Sequence, residues 1–121
     1  MSLRNQPKYN FFKNTTYALK GLKDIAKTEK SFQIEMALTA VLLPMLFFIE
    51  ISLAYKLLMF ISLSGMLIAE AVNSAIERVV DLVTLEHHHM AGRAKDVGSS
   101  IVFLSIVVFV VTWTVILVKI L

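Results

Sequence analysis

The hydrophobic positions of this chain fall into three blocks separated by short polar breaks, and the last block is the plainest. From Ile101 to Val118 it reads IVFLSIVVFVVTWTVILV, with no charge and only Ser105, Thr112 and Thr114 as polar interruptions. A helix rising 1.5 Å per residue needs roughly 20 apolar residues to cross a bilayer core. Ser99, Ser100, Ile120 and Leu121 bring the block to that length. A span over about 99–120 is therefore predicted, with Trp113 and Lys119 as interfacial anchors toward its far end. The other two blocks, Met36–Ile49 and Ile51–Ala69, are separated only by Glu50 and closed at once by Glu70. Together they are too long for one crossing. They predict a hairpin turning near Glu50, with spans over about 33–49 and 52–70, and Lys56 snorkelling back to the same interface. Pro44 lies inside the first span, where lipid tolerates it better than water does.

Ahead of these blocks the pattern changes. Phe11, Ala18, Leu22 and Ile25 recur at helical spacing, while Lys13, Lys20 and Lys27 form a heptad on another face. A basic helix with Phe and Leu opposite lies in the membrane interface. The segment is too short and too polar for a cleavable signal peptide. The pattern thus predicts an all-α membrane protein: three transmembrane helices plus an N-terminal amphipathic interfacial helix over about 8–30. The second span continues as a cytoplasmic helix to about residue 83. Residues 1–121 form a single membrane domain, with no internal repeat and no low-complexity linker.

Composition supports this. Of 121 residues, 57% are apolar and 17% charged, and mean hydropathy is +0.73. Soluble domains run nearer 45–50% apolar and about 25% charged, which disfavours a soluble three-helix bundle and excludes a disordered chain. There is no Cys, hence no disulfide framework, thiolate metal site or cysteine nucleophile. The four glycines form no phosphate-binding loop or dinucleotide fingerprint. The distribution of charge sets the orientation. Arg4, Lys8, Lys13, Lys20, Lys23, Lys27 and Lys30 precede the first span, and Arg78, Arg93 and Lys95 lie between the second and third. By the positive-inside rule the N-terminus and the 78–98 segment face the cytoplasm, and the C-terminus lies outside.

The chemistry concentrates in Glu70-Ala-Val-Asn73-Ser-Ala-Ile-Glu77-Arg-Val-Val-Asp81. On a helix Glu70, Asn73, Glu77 and Asp81 share an arc of about 80°. Oxygen ligands on a membrane helix face a bundle interior or a cavity and mark function. Glu70 follows Lys56 by about 21 Å of helix, close to the inner interface, and Glu77 lies about 10 Å further on. The first is placed to meet a lipid headgroup, the second a water-soluble ligand, and carboxylates with water and phosphate oxygens suit Mg²⁺. For Asp81 alone a solvated helix end is the better account.

The polar loop Leu85–Asp96 follows, with His87, His88 and His89 in a row. Helical neighbours do not face one site and nothing places a fourth ligand, so contacts to a ligand or to headgroups suit the histidines better than metal. Arg93 and Lys95 can neutralise phosphate. Asp96 can orient Lys95 or cap a helix starting near Gly98. Glu29 stands at the cytoplasmic foot of the first span, able to join them, while Glu35 reads as interfacial. A channel or transporter subunit is the rival of a different class, but it needs polar positions deeper in the second span, where only Ser62 and Ser64 stand.

The run Glu70-Ala-Val-Asn-Ser-Ala-Ile-Glu77, then Val-Asp81, His88 and Gly-Arg-Ala-Lys95-Asp96-Val-Gly-Ser99, resembles the bacterial integral-membrane diacylglycerol kinase family. The resemblance extends over nearly the whole chain. GRAKDVGSS and the closing Val-Thr-Trp113 look like its Gram-negative branch, while the undecaprenol kinases share the acidic motif. It implies an ATP- and Mg²⁺-dependent phosphotransferase making phosphatidic acid from diacylglycerol at the inner membrane. It also implies a homotrimer with active sites shared between subunits, and no nucleic acid among its partners. By matching positions Glu70 is the implied general base, and Glu29 and Glu77 the implied ligands of Mg²⁺ on ATP. Asn73, Asp81, Lys95 and Asp96 are implied in support. Tyr17, Glu86, His87 and His88 would meet the nucleotide, and Ser99 and Trp113 the lipid. Two positions depart from the family: Asn10 stands where Arg is frequent, and His87 where Tyr is common.

Overall fold

The computed structural model describes residues 8–121; Arg4, counted above in the basic N-terminal cluster, lies outside them. The chain forms α1 (Phe11–Thr28), α2 (Lys30–Phe48), α3 (Leu53–Val83) and α4 (His89–Ile120), with no strand among the described residues. Three helices are long and apolar enough to cross a membrane: α2 and α3, each with a mean hydropathy of 1.6 over its most apolar window, and α4 with 2.9. The N-terminal helix is not one of them. Its basic and apolar residues alternate by face, which gives it a side for each medium.

Each boundary has a local cause. Asn10 sits in an extended conformation and its Oδ1 accepts from the Lys13 amide at 3.1 Å, which caps α1. The departure at Asn10 therefore has a structural role. The first helix ends at Glu29, whose backbone is extended (φ −104°, ψ 112°) and whose N–H returns to the Ile25 carbonyl at 2.9 Å. The Gln33 side-chain Nε2 then reaches back from α2 and donates to the Ala26 and Lys27 carbonyls at 3.0 and 3.2 Å, satisfying acceptors that a helix end leaves open. Only Glu29 separates α1 from α2. Ser52 caps α3 through its Oγ, and the Lys56 ammonium donates to the Phe47 carbonyl at 3.3 Å, so the expected return of Lys56 to the turn is seen as a hairpin clasp.

The structure differs from expectation at α4. Its helix begins at His89, ten residues before the expected span, because the His88 Nδ1 accepts from the Met90 amide at 3.1 Å and caps it there. Asp96 is thus inside the helix and does not cap it. The polar segment expected as a loop over residues 85–96 is only a short connection to residue 88. Nothing in Met90–Asp96 breaks a helix strongly: Gly92 costs about 1 kcal/mol relative to Ala, less than a good cap supplies together with continuation into an apolar helix.

The core at the hairpin end gathers Leu46 of α2, Met59, Leu63 and Met66 of α3, and Trp113 and Ile116 of α4. The Trp113 indole N–H donates to the Met59 carbonyl at 3.1 Å, and its ring lies 5.2 Å from that of Phe109. Trp113 is only 6% exposed, so it is not the interfacial anchor the sequence suggested. Helix α3 had carbonyls close enough for the indole to use, and burying a large ring among three helices outweighs its interfacial preference. Outward faces of α2 and α4 keep Val41, Phe47, Phe103, Val108 and Val111 exposed, as suits a surface that lipid or another subunit covers.

Candidate functional site

Toward its C-terminal half α3 buries polar side chains. Glu70 is 6% exposed, Asn73 7% and Ser74 3%, whereas Glu77 is partly exposed and Asp81 exposed. The stripe therefore runs from a dry end to a wet end along one helix. Burial at Asn73 comes from α4: a Cβ on Gly98 would collide with the Asn73 Oδ1 and lie 3.5 Å from Cγ2 of Ile76. The missing side chain at Gly98 lets the two helices close around the amide here. The Asn73 Nδ2 donates to the Glu77 Oε1 at 3.2 Å, while its Oδ1 is buried with no partner among the described residues.

Three segments bring acids together. The charges of Glu77 and of Glu29, at the α1–α2 corner, both bear on Glu70, and Glu70 bears on Glu35 of α2. The Glu35 Oε2 is buried without a partner among the described residues. Sequence reasoning set Glu35 aside as interfacial; its signal was a carboxylate six positions after Glu29 at the start of an apolar block. Arg78, read from sequence only as a topological charge, sits one residue beyond Glu77 and crosses to α1. Its guanidinium pairs with Asp24, and its Nη2 donates to the Thr28 Oγ1 at 3.0 Å and to the Glu29 Oε1 at 3.3 Å.

A second group of expected residues collects where α3 passes into α4. Lys95 pairs with Asp81 at 2.8 Å. Both line a cavity of about 330 Å³ together with Glu86, His87 and His88. A neighbouring cavity of about 350 Å³ is lined by all three histidines, Arg93 and Asp96. Tyr17 lines neither; it is half exposed on α1. Ser99 is exposed next to Gly98, near the level of Asn73. Trp113 lies about 21 Å further along α4 than Ser99, in the core, and is not brought to Glu70.

Among the described residues no three His, Asp or Glu side chains form a ready-made metal cage. Glu29 and Glu77 still fit a magnesium ion, since Mg²⁺ is usually bound by one or two carboxylates, with phosphate oxygens and water completing its octahedron. The arrangement is thus a buried acid beside two partly exposed ones, with the cationic Lys95 near Glu77.

Three helices of membrane-spanning length carrying such a site define a class of small integral-membrane proteins. Residues 16–117 match the family model described as prokaryotic diacylglycerol kinase, and the chain belongs to that family. It is 38% identical over 100 residues to a diacylglycerol kinase of Haemophilus influenzae, covering 83% of this chain and 85% of the relative. A Pseudomonas aeruginosa diacylglycerol kinase is 39% identical over 103 residues (85% and 84%). An undecaprenol kinase of Bacillus subtilis is 37% identical over 92 residues (76% and 75%). The chain is a lipid kinase and a bacterial membrane protein.

Proposed function

We propose that this enzyme transfers the γ-phosphoryl group of ATP to the hydroxyl of diacylglycerol, giving phosphatidic acid, at the cytoplasmic face of the inner membrane. The observation that carries this reading is the convergence of Glu29, from the α1–α2 corner, with Glu70 and Glu77 of α3, Glu70 being at the buried end. ATP cannot enter the bilayer and diacylglycerol cannot leave it, so the two must meet at that boundary. Glu70 takes the proton of the lipid hydroxyl, whose oxygen bonds to the γ-phosphorus as the bond to the ADP oxygen breaks. Glu29 and Glu77 would hold Mg²⁺ on the nucleotide, where the ion would supply neutralisation of phosphate charge. Such transfer asks chiefly for positioning and electrostatic stabilisation. Lys95 and Asp96 support the phosphates. The cavity of Glu86, His87 and His88 takes the rest of the nucleotide. Asn73 steadies Glu77, and Ser99 lies on the lipid side.

A homotrimer with shared sites accounts for two features of the single chain. Its apolar outer faces are large, and Tyr17 stands apart from the cavity at the α3–α4 junction. The concentration of Lys and Arg before α2 and between the last two spans supports a cytoplasmic N-terminus and an external C-terminus.

The test is phosphorylation by purified protein in mixed micelles with ATP and Mg²⁺, offering diacylglycerol and undecaprenol side by side. The 37% identity to an undecaprenol kinase makes the second lipid the necessary competitor. Phosphatidic acid as the dominant product is expected; a preference for undecaprenol overturns the substrate assignment. Glu29→Gln and Glu77→Gln should each lower turnover and weaken the apparent Mg²⁺–ATP affinity, because an amide keeps the shape and loses the charge a hard cation prefers. Wild-type metal dependence in both variants would refute the shared-ion assignment.

A further inference from the structure

The α1–α2 corner is held from outside by one side chain. Helix α1 buries only Ile25, and an apolar cleft of about 460 Å³ separates it from α3, lined by Ala18, Gly21, Leu22, Ala71 and Ala75. Packing across such a cleft fixes the pose of α1 poorly. Among the described residues Arg78 makes the only hydrogen bonds between α1 and α3, two of them, and a third to Glu29 at the corner. Its acceptors, Asp24, Thr28 and Glu29, span the last turn of α1 and the residue at which the helix breaks. A planar guanidinium with five donors in a fixed fork can hold several acceptors in one arrangement, which an ammonium cannot. Thr28 is itself fixed, since its hydroxyl donates to the Asp24 carbonyl at 2.8 Å. Glu29 has an extended backbone between two helices, so its side-chain direction depends on how the two ends meet.

We propose that Arg78 is a positioning residue that latches the end of α1 onto α3 and thereby holds Glu29 beside Glu77 and Glu70. The catalytic relevance rests on the reading of Glu29 as a nucleotide–metal ligand; the latch itself does not. Arg78 engages one oxygen of Glu29, Oε1, and so sets the direction in which the other oxygen of the carboxylate points. Asp24 is the anchor of the latch. Arg78 sits on the register of α3 immediately after Glu77, so any slip of α1 along α3 moves Glu29 relative to Glu77.

Hydrogen exchange of the α1 amides over residues 22–28, measured on full-length enzyme in micelles, reads the latch without reference to activity. Arg78→Ala and Asp24→Ala should each speed this exchange by about fivefold, the upper range for an exposed ion-pair network. Both should raise the KM for Mg²⁺–ATP more than they lower kcat, and Arg78→Lys should fall between wild type and Arg78→Ala. The exchanged pair Asp24→Arg with Arg78→Asp restores attraction between the helices but sets a carboxylate on α3 against Glu29. It should recover slow exchange and leave the KM raised. Unchanged exchange in Arg78→Ala overturns the latch. Faster exchange with unchanged KM and kcat overturns the positioning role. A raised KM without faster exchange means direct contact between Arg78 and nucleotide, and also overturns it. Should Glu29→Gln leave metal dependence untouched while Arg78→Ala still loosens α1, the reading of Glu29 fails and the latch stands.

Discussion

Helices α3 and α4 are nearly equal in length, 31 and 32 residues, yet they solve different problems. The most apolar stretch of α4 has a mean hydropathy of 2.9 against 1.6 for α3. Helix α4 buries only Gly98, Trp113 and Ile116, whereas α3 buries eight residues, four of them polar: Ser62, Glu70, Asn73 and Ser74. Hydrophobicity in α4 mostly faces outward, toward lipid or another subunit. In α3 one face packs inward through Met59, Leu63, Met66 and Ala69. The lesson is that the span carrying the buried carboxylate is the one most enclosed by its neighbours, because a carboxylate at membrane depth is tolerable only inside protein. Neither helix could exchange roles with the other.

Glu70→Gln gives the largest expected break in this contrast, since it makes the stripe of α3 chemically inert while preserving its shape. Turnover should fall about 10²–10⁴-fold, the usual worth of general base catalysis, with the fold retained. Glu70→Asp should keep more activity than the amide. Near wild-type rates in Glu70→Gln would assign the base elsewhere, with Asp96 the next to examine.

Glycines then separate the two helices. Gly98→Ala places a methyl group into Asn73 and should destabilise by about 1–3 kcal/mol, as overpacking does, and disturb the Asn73–Glu77 hydrogen bond. Gly65→Ala, in α3, meets nothing within 4 Å and should be neutral or stabilising by less than about 1 kcal/mol. Thermal inactivation of the two variants in the same micelles compares them directly. Equal effects would mean that the close approach of α3 and α4 is not tight at Gly98.

Trp113→Phe tests the other point of contact between these helices and should have the mildest effect of the destabilising set. It loses the hydrogen bond to the Met59 carbonyl but keeps most of the aromatic packing, for a loss of about 0.5–1.5 kcal/mol. The same melting assay reads it. Lipid KM should not change, because Trp113 lies in the core and away from Glu70. A raised lipid KM would restore the lipid contact that the sequence suggested.

Most of the helices were legible because their signals are local. Eighteen uncharged residues in Ile101–Val118 can only be a span at 1.5 Å per residue, and a period near 3.6 puts Glu70, Asn73 and Glu77 on one face whatever surrounds them. The amphipathic nature of α1 needed no partner either. Contacts between segments distant in sequence were decided by tertiary structure. Trp113 has the same side chain at an interface and in a core, and only the arrival of Met59 from α3 selects the core. Gly98 is one helical glycine among four until Asn73 is pressed against it. Glu35 becomes a member of the acidic group only when α2 is folded beside α3. Arg78 counted as one more positive charge until α1 came across to meet it. Spacing along a chain fixes directions around a helix axis; which neighbour stands in that direction depends on packing, and packing has no local code.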